Sequence, residues 1–179
     1  LGRASAAIEK SIRKQKNIGL LSVEELNQTL ERIRLISDLR VVSPQTNLAI
    51  EAIIEDFDAK TELLGAMEKH LPEAWFITHT SSLSITELAS ATKRPDRFVG
   101  MHFFNPAPVM KLVEVIRGSE TSDGTVALVR DLCAKLGKEP VEVKESPGFV
   151  VNRLLVPVLN EAFNLLQEGV ASPENIDKA

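Results

Sequence analysis

The chain has 179 residues, 44% of them hydrophobic, and its 21 basic and 25 acidic side chains leave a formal net charge of −4. With a mean hydropathy of −0.01, it has the material for a buried core and is not a disordered polyelectrolyte. Its interspersed, slightly acidic charge argues against a nucleic-acid partner, which needs a dense positive face. The single cysteine, Cys133, excludes a disulfide framework within the chain and a cysteine-rich metal site, and suits a reducing compartment such as the cytoplasm. No apolar run approaches the roughly 18 residues that span a bilayer. No basic-then-apolar leader opens the sequence, so no membrane segment or secretory signal is expected.

Residues 1–33 read as helical. Ala6, Ile8 and Ile12 fall near one face, and Lys10, Arg13, Lys14 and Lys16 make the other basic. In SVEE, Ser22 followed by Glu25 is a capping box that starts a second helix through about Ile33. Strands and helices then alternate. NLAIEAI (47–53) reads as a buried strand, FDAKTELLGAMEKHL (57–71) as a helix, WFITHT (75–80) as a strand, and the segment after SSLS as a short helix to about Ala91. RFVGMHFF (97–104) and LVEVIRG (112–118) read as strands, SDGTVALVRDLCAKLG (122–137) as a helix ended by Gly137, and PVEVK (140–144) as the last strand. Short alternating units of this kind predict an α/β domain with a largely parallel sheet, whose ligands bind beyond the carboxyl ends of the strands. HTSS, HFFNP and the residues before PGF all fall there. After the Ser-Pro-Gly break the pattern becomes one long apolar helix, about 150–168. Gly169 closes it, and Ser172-Pro173 opens another. A helix this apolar must pack against something.

In RFVGMHFF, the residues Phe98, Gly100, His102 and Phe104 share a face, and Gly100 is expected to leave space beside the imidazole. On that strand alone the simpler reading of His102 is a core histidine satisfied by one hydrogen bond. Glu114, on the same face of its strand as Leu112 and Ile116, puts a carboxylate among apolar neighbours, where it costs several kcal/mol unless paired. A His102–Glu114 pair would fix the imidazole tautomer and stabilise its protonated form, as a general base requires; a structural ion pair is the alternative. Ser84 before ITEL is a helix cap, which leaves Ser81 free to bond a ligand. Asn152, among apolar residues at a helix start, reads equally as an interhelical hydrogen bond or a ligand contact. His70 reads as a surface residue favoured by the helix dipole, and His79 has no assigned role. The three histidines have no metal-ligand spacing. GxSxG, GxGxxG and GxxxxGKS/T are all absent.

The stretches IEAIIEDFDAKTELL, THTSSLSITELA, GMHFFNPAPVMKLVEVIRG and ESPGFVVNRLLVPVLNEAF, in this order and spacing, closely resemble the L-3-hydroxyacyl-CoA dehydrogenase family, including the bacterial 3-hydroxybutyryl-CoA dehydrogenases. The resemblance implies an oxidoreductase of fatty-acid or butanoate metabolism that passes hydride from the 3-hydroxyl of an acyl-CoA to NAD. It makes His102 the general base, Glu114 its orienting partner, Ser81 a hydrogen-bond donor to the substrate oxygen near the nicotinamide, and Asn152 a polarising group. Glu55, Lys60 and Asn105 match the family's cofactor contacts, and Ser11 a coenzyme A contact, although a solvated helix face explains Ser11 equally well. The implied architecture is an incomplete Rossmann-like NAD-binding domain, residues 1–145, followed by the beginning of an all-helical dimerisation domain, residues 146–179, of a homodimeric parent. Family members begin with a strand, a GxGxxG turn, a helix and a second strand, which would precede Leu1. The glycine-rich turn carries the cofactor's pyrophosphate, so this chain is expected to be a fragment, truncated at both ends, that binds NAD weakly or not at all. His79 stands where the family usually has Asn. Two other readings are a short non-catalytic relative that acts as a binding module, and a piece of a multifunctional fatty-acid oxidation protein.

Overall fold

The structure is a computed structural model describing residues 2–17, 19 and 21–179. Leu1, Ile18 and Leu20, which fall within the stretch read as helical, lie outside the described residues. The chain forms two compact units, Leu1–Pro44 and Gln45–Ala179.

In the first unit, α1 (Gly2–Asn17) packs against α2 (Val23–Glu31). The expected capping box is formed: Ser22 Oγ accepts from Glu25 N at 3.1 Å and the Glu25 carboxylate accepts from Ser22 N at 2.8 Å. Two of the orphan N–H groups at the helix start are thereby satisfied. The helix ends at Glu31, two residues short of the expected Ile33.

The second unit is built on a five-stranded sheet in the order β1 (Leu48–Glu51), β2 (Trp75–Thr78), β3 (Phe98–Phe103), β4 (Leu112–Arg117), β5 (Glu139–Lys144). Between them run α3 (Phe57–His70), α4 (Ile85–Ala89) and α5 (Asp123–Lys135), each with a side-chain N-cap: Asp56, Ser84 and Ser122. Pairing is parallel except between β3 and β4. The reversal there follows from the short connection between them, since a parallel pair needs a crossover of a dozen residues or more. On one face of the sheet Ile77, Val99, Met101, Val113 and Val115 form a core with Val129 and Cys133 of α5. On the other, Phe76, Phe98 and Ile116 are buried, as are Leu64 of α3 and Ile85 and Leu88 of α4. Burial pushes the Cys133 thiol pKa up, Lys138 opposing.

β1 differs from the buried strand expected over 47–53. Ile50 is 49% exposed while Glu51 is buried. α5 packs over β3, β4 and β5, so the α5-side face of the sheet thins out toward β1 and Ile50 is left open there. Glu51 points to the opposite face, where it has an ionic partner.

After β5 come α6 (Val151–Gln167) and α7 (Pro173–Lys178). No residue of α6 is buried, although its exposed side chains include Leu154, Leu155, Val158, Leu159 and Phe163. Pro157 inside the helix removes one i→i−4 hydrogen bond.

Candidate active site

His102 and Glu114 are directly opposed Cα partners across the antiparallel β3–β4 pair. Imidazole Nδ1 lies 2.7 Å from Glu114 Oε2, and both side chains are almost fully buried. With an ionised carboxylate, which only accepts, and a neutral ring, this contact places the proton on Nδ1 and leaves the lone pair on Nε2. Glu114 Oε1 accepts the backbone N–H groups of Val150 at 2.9 Å and Val151 at 3.0 Å. The carboxylate therefore also caps α6, whose own N-cap residue, Val150, makes no side-chain cap. The ring is flanked by Phe104 and Phe149, at centroid distances of 4.7 and 5.5 Å. Phe149 has φ 51° and follows Gly148 at φ 75°, so the chain turns through two left-handed residues before the α6 N–H groups meet Glu114.

Ser81 sits in the turn leaving β2, with Oγ 3.1 Å from His102 Nε2. That turn is held by Glu55, whose Oε1 accepts from Thr80 Oγ1 at 2.5 Å, Ser81 N at 2.8 Å, Ser82 N at 3.0 Å and Ser82 Oγ at 3.1 Å. Partial burial pushes the Glu55 pKa up, but the hydrogen bonds from Thr80, Ser81 and Ser82 outweigh it and hold the carboxyl below its ordinary value.

Lys60, expected as a cofactor contact, is turned into the protein. Its ammonium is fully buried and donates to Glu51 Oε1 at 2.7 Å and to the His79 carbonyl at 2.9 Å, with Glu55 Oε2 at 3.9 Å. Glu51 in turn accepts from Ile53 N at 2.6 Å and Thr78 Oγ1 at 2.6 Å. A buried ammonium is tolerated only with such partners. Gly100 departs from expectation: the space beside it belongs to the core, because a Cβ there would meet Ile85 Cδ1 at 2.6 Å and Ile116 Cβ at 3.1 Å.

Asn152, half-buried, is the second residue of α6, next to the N–H groups that bind Glu114. Asn105 is exposed, just beyond β3. Ser11, half-buried on α1, lies in the other compact unit. His70 is half-buried rather than a surface residue. His79 stacks on His102 with centroids 6.1 Å apart, its Nδ1 3.0 Å from the Met101 carbonyl. Sequence reasoning passed over Glu51 and Phe149. The alternation in LAIE puts Glu51 on the face of Ala49 and so holds a signal for its burial; nothing local marks Phe149 as a neighbour of the imidazole. Among the described residues no group of His, Cys, Asp and Glu side chains could hold a metal ion, and no helix is long and apolar enough to cross a membrane.

A buried His–Glu pair toward the carboxyl end of β3, with a serine hydroxyl from the turn after β2 on the other imidazole nitrogen, marks the candidate site of a Rossmann-like domain. The family model "3-hydroxyacyl-CoA dehydrogenase, NAD binding domain" matches residues 1–146, and "3-hydroxyacyl-CoA dehydrogenase, C-terminal domain" matches 148–179. The chain belongs to the 3-hydroxyacyl-CoA dehydrogenase family. It is 46% identical over 185 residues to the mitochondrial hydroxyacyl-coenzyme A dehydrogenase of Homo sapiens, covering 100% of this chain and 59% of that protein. It is 53% identical over 134 residues to the 3-hydroxybutyryl-CoA dehydrogenase of Clostridioides difficile, covering 74% of this chain and 48% of that protein. Among solved structures it is similar to the (S)-3-hydroxybutyryl-CoA dehydrogenase of Ralstonia eutropha, with a TM-score of 0.91 and 44% identity, covering 97% of this chain and 62% of that one. The chain thus spans about half to three fifths of the length of these relatives.

Proposed function

We propose that these residues form the proton-transfer part of an NAD-dependent 3-hydroxyacyl-CoA dehydrogenase, with residues 1–145 in the cofactor-binding domain and 146–179 opening the helical domain. The observation that carries this reading is His102, with its Nδ1 on Glu114 and its Nε2 facing Ser81 Oγ. His102 Nε2 takes the proton of the substrate 3-hydroxyl as the carbonyl forms. Glu114 holds the imidazole in the required tautomer and balances the charge it acquires. Ser81 donates a hydrogen bond to the same substrate oxygen, and Asn152 polarises it from the start of α6. Ser11 meets the coenzyme A moiety from the basic helix α1.

The residues present fit the nicotinamide end of the cofactor. The Ser81 turn and the exposed Asn105 lie just past the ends of β2 and β3, and Glu55 fixes that turn. No GxGxxG turn for the pyrophosphate occurs in these 179 residues. When bound, NAD accepts the hydride leaving C3 of the substrate. The exposed apolar α6 is read as the contact with a second copy of the chain, and the single buried thiol of Cys133 fits the cytoplasm.

The test is NAD reduction by the full natural chain with 3-hydroxybutyryl-CoA. Turnover should fall by a factor on the order of 10² to 10⁴ in His102→Gln; an unchanged rate in that variant sinks the reading.

A further inference from the structure

Glu51 has no place in the chemistry described above, yet it is among the most enclosed carboxylates of the fold. It ends β1 opposite Thr78, Thr78 is opposite Gly100, and Gly100 is opposite Ile116. Registered partners point to the same side of a sheet, and residues two apart on a strand share that side. Glu51 therefore shares a face with His102, two residues along β3 from Gly100. The Glu51 and Lys60 side chains are both 0% exposed. Two buried charges held this way need a return for their desolvation, and mutual pairing alone is a weak source of stability.

The contacts run in chain order along the turn that bears Ser81. Thr78 Oγ1 donates to Glu51 Oε2, and the His79 carbonyl accepts from Lys60 Nζ. Thr80, Ser81 and Ser82 all donate to Glu55, whose other oxygen lies 3.9 Å from Lys60 Nζ. Of these five consecutive residues four are tied to two carboxylates, and His79 to the Lys60 ammonium between them. Two of the ammonium's three donors are thereby engaged inside the protein, on Glu51 and on the His79 carbonyl.

We propose that Glu51 is a positioning residue that acts through Thr78 and Lys60 to set the Ser81 turn against His102. The proposal rests on the reading in which His102 takes the substrate proton and Ser81 holds the substrate oxygen. A small displacement of such a group costs rate more than ground-state affinity, and misplacement by about 1 Å costs up to about 10²-fold.

The test uses the full natural chain and four variants: Glu51→Gln, Glu51→Gln/Lys60→Met, Ser81→Ala and Glu51→Gln/Ser81→Ala. The Glu51/Lys60 double variant removes both charges together and leaves no unpaired one. At saturating NAD it should lower kcat by about 10-fold or more, as should Glu51→Gln alone. In the Ser81→Ala background, Glu51→Gln should cost less than about twofold in kcat, because its effect passes through that hydroxyl. Two results would overturn the proposal: kcat unchanged in folded Glu51→Gln at saturating NAD, or a Glu51 effect undiminished without Ser81. If Glu51→Gln does not fold, Thr78→Val cuts the same network at a neutral position, and the same cycle against Ser81→Ala decides. His102→Gln run in parallel separates the two failures. If it retains activity, the reading of the site fails; if it is inactive while the Glu51 cycle is additive, only the positioning role fails.

Discussion

Glu114 serves two structures with one carboxylate: Oε2 orients His102, and Oε1 caps α6 through Val150 and Val151. Glu114→Gln keeps the size and loses the charge that balances an imidazolium. Turnover at neutral pH should fall by about 10²-fold or more, measured in single-turnover experiments with bound substrate. Glu55 makes a separate prediction. Its pKa in the folded protein is depressed, so its ionised form contributes stability in full above the unfolded value near 4.5, and that contribution is lost as pH falls through the lower folded value. Thermal unfolding of wild type and Glu55→Gln should differ near neutrality and converge in acid; a gap that stays constant to low pH would exclude this origin. The pairing of His102 with Glu114 was legible in the sequence because a carboxylate on an apolar strand face demands a partner. The inward turn of Lys60 was not, because a lysine four residues into a helix reads as solvated unless the fate of Glu51 is already known.

Among the elements, β3 and α4 are held in contact by the missing side chain of Gly100. An added Cβ would lie 2.6 Å from Ile85 Cδ1 and 3.1 Å from Ile116 Cβ. Ile85 can shift a terminal methyl, but Ile116 Cβ is fixed to the β4 backbone, so Gly100→Ala should destabilise the fold by about 1–3 kcal/mol, read from the urea midpoint. Nearly all the helices and strands could be found from caps and periodicity, because Ser22, Ser84 and Ser172 each precede a helix and the strand runs are short and apolar. β1 was misread because burial of a strand depends on how far the covering helix reaches. LAIE looks the same whether or not a helix covers Ile50.

At the scale of the molecule, α6 is an apolar helix with no buried residue. Leu154 is 67% and Phe163 68% exposed. The sequence told that this helix needs a partner but could not place it, since amphipathicity defines a face and not its occupant. With a second copy as that partner, Phe163→Asp should shift the full natural chain from dimer to monomer in light scattering, with the far-ultraviolet dichroism preserved. The antiparallel register joining His102 to Glu114 carries a consequence for how this chain tolerates change in length. The loop between β3 and β4 can gain or lose residues without moving either side chain, because the ladder and not the loop sets their opposition. One residue inserted inside β3 between Gly100 and His102 would turn the imidazole to the α5 side and bring a different side chain opposite Glu114. Insertions scanned along 98–117 should therefore be tolerated in the loop beyond Asn105 and abolish activity in the strands.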